Sequence, residues 1–224
     1  YRDQCHLVVA ALLGVCYAVG SWQAGKLAQR WGYFFTLKLG FGIMIIALVA
    51  GALLNSAVGI VIAAAVVTLG MCCTWPVLEA LVSEGESPNH VPHAVGLYNI
   101  TWAVTNAAAL FIGGTLLVKF GYRSLFYVPA GLLACQFALA LWLEKLPGPA
   151  AAKSSAGSPA DPQRPSLKLA KSFQRMAWLA NPFAYIAINT LLAVLPGIAV
   201  KFHLSPMFAG FACSLWCFVR FLRF

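Results

Sequence analysis

LGFGIMIIALVAGALLNSAVGIVIAAAVVTLGMCCTWPVL, residues Leu39 to Leu78, holds no Asp, Glu, Lys, Arg or His. A hydrocarbon layer about 30 Å thick takes about 20 apolar residues of helix to cross. Two crossings, out and back, fit this stretch, with Asn55-Ser56 as the polar step that turns the chain at the membrane surface. A soluble domain would have to enclose both helices on every side, and a chain of 224 residues lacks the bulk for that. Strands do not serve either. The apolar runs are too long, show no alternation, and an open sheet cannot satisfy its backbone in lipid. The chain reads as an all-α membrane protein, a polytopic helical bundle.

Composition agrees. Hydrophobic residues make up 61% of the chain and charged residues 9%, against about 25% charged in ordinary globular domains. Charge is scarce because it is costly in lipid. The net charge of +9 would suggest nucleic acid in a soluble protein. Here the cations fall in the gaps between apolar spans, so they read as topology signals and lipid-headgroup contacts, and no nucleic-acid partner is expected. Six of the seven cysteines lie inside apolar spans (Cys16, Cys72, Cys73, Cys135, Cys213 and Cys217) with neither disulfide-framework nor zinc spacing. They read as small hydrophobic filler, and neither a metal nor another cofactor is expected.

Seven spanning helices are predicted, at about 7–24, 36–54, 58–80, 94–118, 124–143, 177–199 and 206–224. The gaps after the first and fifth hold Lys26, Arg30, Lys38, Lys145, Lys153, Arg164, Lys168, Lys171 and Arg175; the opposite side holds Arg2, Lys119, Arg123 and Lys201. The positive-inside rule therefore puts the first group in the cytoplasm and the start of the chain outside. Residues 147–175 form a Pro/Gly/Ser-rich linker that cannot bury a core. Its Leu167–Phe173 part alternates basic and apolar residues, which suits either an anionic inner leaflet or plain solvent. Residue 1 is Tyr and the last residues, Phe221 to Phe224, stop inside an apolar run. The expectation is a piece of a longer chain. One helix upstream would make six before the linker, the layout of two six-helix halves.

Two motifs now carry a resemblance. Gly25-Lys26-Leu27-Ala28-Gln29-Arg30-Trp31-Gly32 is similar to the loop between helices two and three of the major facilitator superfamily. Gly25, Leu27, Ala28, Arg30 and Gly32 match that pattern, while Gln29 stands where the family has Asp. Ile112 to Leu117 with Phe120 to Tyr127 resembles the end of family helix five, its short outer loop and the start of helix six. The resemblance implies helices two to eight of that fold: 1–146 as the N-terminal half bundle without its first helix, 147–175 as a cytoplasmic linker, and 176–224 as the start of the second half. It implies a cytoplasmic gate loop at Gly25, Arg30 and Gly32, with a charge-based latch put in question by Gln29. Close helix packing is expected at Gly113 and Gly114, a turn at Gly121 and a cap from Arg123. Drug/proton antiporters of the superfamily usually carry Gly-Pro where Ala109-Leu110 stand, and an Arg where Val66 falls.

Candidate pathway residues come from periodicity. Asn99, Trp102 and Asn106 recur at i, i+3, i+7 on one helix face; the amides either bind a solute or hydrogen-bond neighbouring helices. Tyr185 and Asn189 share a face ahead of Pro196-Gly197. Thr74, Trp75 and Pro76 offer a similar bend. Arg220 is deep in the last span, where it either meets an anionic group or snorkels beside Arg223. Glu79, near the cytoplasmic end of the third helix, is expected to pair with a loop cation rather than to couple a proton.

The implied function is a secondary transporter, not an enzyme, moving a small organic solute by alternating access, with a sugar or organic anion favoured. A proton or sodium ion is a possible coupling partner, and the protein is expected as a monomer in a bacterial inner (plasma) membrane. The rivals are a multidrug efflux transporter, with a wide apolar cavity, and a non-transporting membrane sensor on the same fold.

Overall fold

The computed structural model describes residues 2–54, 56–84, 86–87 and 89–146, and after the linker residues 172, 176, 190, 194, 197–198, 200–205, 207–208 and 210–211. Five α-helices lie in the continuous part: α1 (Arg2–Trp31), α2 (Tyr33–Leu53), α3 (Ala57–Ser83), α4 (Val91–Phe120) and α5 (Ser124–Glu144). All five are long and apolar enough to cross a membrane. Their order matches the first five predicted spans, and the described residues include no strand. The expected helices at 177–199 and 206–224, and the linker, lie almost wholly outside the described residues.

The helices run past the apolar windows that predicted them. Backbone hydrogen bonding does not stop where side chains turn polar, so headgroup-depth residues stay helical. The clearest case is α1, which continues through Gly25 and Arg30 to Trp31. Between α2 and α3 the polar step behaves as expected: Ser56 caps α3, its Oγ accepting from the Gly59 N–H at 3.0 Å.

α2 is the centre of the bundle. It packs most extensively on α3 and then on α5, while α1 and α4 pack on α3 from other sides. The core joins Ala28 of α1, Leu37, Phe41 and Met44 of α2, Val77 of α3 and Ala140 of α5. Backbone proximity sets the α2–α3 crossing. A Cβ on Gly40 would lie 2.7 Å from Thr74 Cγ2 and 2.8 Å from the Gly70 carbonyl oxygen, and one on Gly70 would lie 2.9 Å from the Gly40 oxygen. Small residues permit this approach, which drives packing where lipid removes the hydrophobic incentive. The outward faces stay apolar: Leu12, Val19, Ile46, Val58, Ile62 and Leu132 are all exposed. A surface of that kind suits hydrocarbon and not water.

Two one-glycine hinges repeat within the bundle. Gly32 (φ 88°) separates α1 from α2, and Gly121 (φ 76°) follows α4. Each donates its N–H to the fourth residue before it, Ala28 at 2.9 Å and Leu117 at 3.1 Å. Each carbonyl then accepts from a buried hydroxyl, Thr36 Oγ1 at 2.9 Å and Ser124 Oγ at 2.7 Å. Only glycine takes this backbone without strain. Three crossings separate the two units, so they run in opposite senses, as nested inverted repeats do.

Candidate functional site

Three helices bring aromatic side chains into one row. The Tyr17 ring of α1 meets Trp75 of α3 edge-on, with centroids 6.3 Å apart at 70°. Trp75 in turn lies 5.6 Å from Trp102 of α4 at 37°. These spacings are within the range of favourable aromatic pairs. All three rings are half-buried. Tyr17 is at the middle of α1. At about 1.5 Å rise per residue, Trp75 is about 8 Å and Trp102 about 5 Å from the middle of its helix. Both displacements point toward the end of the bundle that carries Gly32, because α3 and α4 are antiparallel.

α4 turns the expected face inward. Ala103 and Ala107 are buried, and Asn99, Trp102 and Asn106 are half-buried beside them. Among the described residues the Asn99 amide forms no hydrogen bond. Thr101 and Thr105, off this face, donate back to the Leu97 and Thr101 carbonyls at 2.9 and 2.8 Å. Pro76 follows Trp75 within α3 and has no N–H to offer the Cys72 carbonyl. Cys72 is packed against α1: its thiol reaches the Thr68 carbonyl at 3.1 Å, and its Sγ would be 2.7 Å from a Cβ on Gly20. Thus the structure joins Trp75 and Trp102 and adds Tyr17, which periodicity did not single out. The available signal was a polar aromatic at the centre of an apolar span. Tyr185, Asn189 and Arg220 lie outside the described residues.

Several expectations are corrected. Gly25 and Arg30 do not form a loop: both belong to α1, a Cβ on Gly25 would meet nothing within 4 Å among the described residues, and the turn is Gly32 alone. Gly113 likewise faces open space among the described residues. Close approach occurs one residue on, where a Cβ on Gly210 would lie 2.5 Å from the Leu110 oxygen and 3.7 Å from Gly114 Cα. Phe111 and Phe211, 6.4 Å apart, extend that contact. Arg123 makes no side-chain cap at the start of α5. Its Nε instead donates to the Tyr122 hydroxyl at 3.4 Å, and this neighbour pushes the guanidinium further toward its charged form.

Glu79 does not pair with a cation among the described residues, and its side chain is exposed. The ion pair is elsewhere. Lys38 Nζ of α2 donates to both oxygens of Glu144 of α5, at 2.7 and 3.0 Å. Glu144 occupies the last turn of its helix, where the dipole opposes an anion, so Lys38 offsets an unfavourable placement. On α1, Lys26 Nζ lies 4.0 Å over the Trp22 ring.

Comparison with known proteins gives one match. The sequence model of the Major Facilitator Superfamily aligns with residues 4–223, which takes in α1 to α5 and the segments after the linker. No curated protein and no solved structure gives a match. Apolar helices of membrane-crossing length and a family alignment over nearly the whole chain lead to one conclusion: this is a multi-pass membrane protein that belongs to the Major Facilitator Superfamily, a family of membrane transporters.

Proposed function

We propose that the protein moves a small polar organic solute, a sugar or an organic anion, by alternating access, and that the sugar reading is the better supported. The observation that carries it is the Trp75–Trp102 pair, with Tyr17 beside it and the Asn99 amide one turn away. Sugars present C–H faces and a rim of hydroxyls. Indole faces suit the first and amides the second, and a few placed polar groups in an apolar wall give orientation. The organic-anion reading rests on Arg220 alone. With the Gly32 turn in the cytoplasm, the row lies slightly to the cytoplasmic side of the midplane. The contact of Leu110 and Gly114 with Gly210 then falls on the outer side. In this reading the outer side is closed while the row is approached from within, and rocking of the two halves reverses the exposure. A bacterial inner membrane, a monomer and a coupling proton or sodium ion complete the proposal.

The test is uptake of a panel of radiolabelled monosaccharides by the full-length protein in proteoliposomes. Trp102→Ala removes one stacking face, about 1 kcal/mol, and should raise the half-saturation concentration roughly fivefold. Asn99→Ala removes one hydrogen bond of about the same worth. Saturable uptake that neither substitution alters would overturn the assignment of this site.

A further inference from the structure

α1 presents one exposed stripe along its length. Leu12, Val15, Val19 and Trp22 are each 58–66% exposed, and Lys26 and Arg30, also exposed, continue the same line. Spacings of three and four residues keep all six on one helix face. The stripe changes character with depth. Tyr17 is at the middle of α1, so at about 1.5 Å rise per residue Lys26 is about 14 Å and Arg30 about 20 Å from the centre. A hydrocarbon layer about 30 Å thick ends about 15 Å from its midplane. Val15, Val19 and Trp22 are thus at acyl-chain depth, Lys26 is at the hydrocarbon edge and Arg30 is among the headgroups.

The two cations face an anion that the described residues do not supply. Neither forms an ion pair among them, and the nearby Glu144 is engaged by Lys38. The C-terminal dipole of α1 favours both cations. Lys26 Nζ, 4.0 Å over the Trp22 ring, is held by a cation–π contact and not by a carboxylate. Next to Arg30, Trp31 and Phe35 meet edge-on at 4.9 Å, both exposed, in the belt where aromatic side chains sit at headgroup level. The apolar part of the stripe does not suit a second helix. Close crossings in this bundle use glycine on both sides, Gly40 with Gly70 and Gly114 with Gly210, as close backbone approach requires. The stripe carries branched and aromatic side chains instead, and Gly14 and Gly25 lie about 100° round α1 from it.

We infer that this face of α1 is a binding site for an anionic phospholipid of the phosphatidylglycerol class. An acyl chain lies along Val15, Val19 and Trp22, and the headgroup phosphate meets Lys26 and Arg30. With the Gly32 turn in the cytoplasm, the lipid belongs to the inner leaflet, whose surface potential is negative. A zwitterionic lipid offers the same chains and phosphate, but its own cation competes with Lys26 and Arg30, so the site selects net negative charge. The inference depends neither on the solute nor on the aromatic row.

The experiment is quenching of tryptophan emission by lipids brominated in the acyl chain, with the full-length protein in phosphatidylcholine nanodiscs. The Trp22 share is the difference between the wild type and Trp22→Phe. Brominated phosphatidylglycerol should quench that share at a mole fraction at least roughly fivefold lower than brominated phosphatidylcholine, since one basic residue near the surface is worth about that factor. Lys26→Gln and Arg30→Gln should each weaken the preference and the double variant should erase it, while Lys119→Gln, at the other end of the bundle, should keep it. Equal quenching by the two lipids, or a preference that survives in the double variant, overturns the inference. Quenching by neither lipid also overturns it, because protein, a second copy or another helix, then covers the stripe.

Discussion

Gly40 and Gly42 are two residues apart on α2, yet alanine should act oppositely at the two positions. At Gly40 the added carbon meets Thr74 Cγ2 at 2.7 Å, the Gly70 carbonyl oxygen at 2.8 Å and Cys73 Cβ at 2.9 Å. The carbonyl belongs to the helix backbone and Thr74 is β-branched, so neither can swing aside cheaply. Relief requires α2 and α3 to part by roughly half an ångström, in a core that does not deform continuously. Overpacking of this kind costs about 1–3 kcal/mol; the helix-forming advantage of alanine over glycine returns up to about 1 kcal/mol. The net loss is therefore about 1–2 kcal/mol, or roughly 2–8 °C in melting temperature for a chain of this size. Among the described residues a Cβ on Gly42 meets nothing within 4 Å, so Gly42→Ala should leave stability unchanged or raise it by up to about 1 kcal/mol. The assay is fluorescence-detected thermal stability of the detergent-solubilised protein. A Gly40→Ala protein as stable as the wild type, or a Gly42→Ala protein that is the weaker of the two, would refute the α2–α3 crossing described above.

Two further outcomes are expected. Lys38→Glu should lower the melting temperature and Lys38→Glu with Glu144→Lys should restore it; because both partners are partly exposed, the interaction energy in a double-mutant cycle should be only about 0.2–1 kcal/mol, and a value of zero would show that the pair holds nothing. Single cysteines at Arg123 and at Lys145, in a background without native cysteines, should react with an impermeant maleimide from opposite faces of the membrane, since α5 separates them; labelling from one face would remove α5 as a crossing.

Much of the fold was legible from residue chemistry alone. Two apolar lengths joined at Asn55-Ser56 gave α2 and α3, because a helix in lipid must be long and uncharged, and both properties are visible in a string of letters. Gly121 was legible as a turn for the same reason: a required positive φ names its residue. Gly25 misled because matching a motif shows which residues are present and not where the helix stops; nothing in α1 breaks it before Gly32. At the Gly113-Gly114 pair a helix surface has two sides, and only the neighbouring element decides which is approached: among the described residues it is Gly114 that meets Gly210. The ion pair was expected at Glu79 and is found at Glu144, on similar grounds. Ion pairing across 106 residues between Lys38 and Glu144 depends on where α5 ends relative to α2.

By itself, then, the sequence determined that this chain is a bundle of membrane-crossing helices and that Trp75 and the Asn99–Trp102–Asn106 face were worth following. Solvent preference and helical periodicity are local properties, carried by each stretch independently. Only the tertiary structure decided that Tyr17 joins Trp75 and Trp102 in one row, that Gly40 meets Gly70, and that Lys38 pairs with Glu144. Those facts depend on the rotation and depth of one helix against another, which are set by many weak contacts summed over the whole interface and written in no single segment.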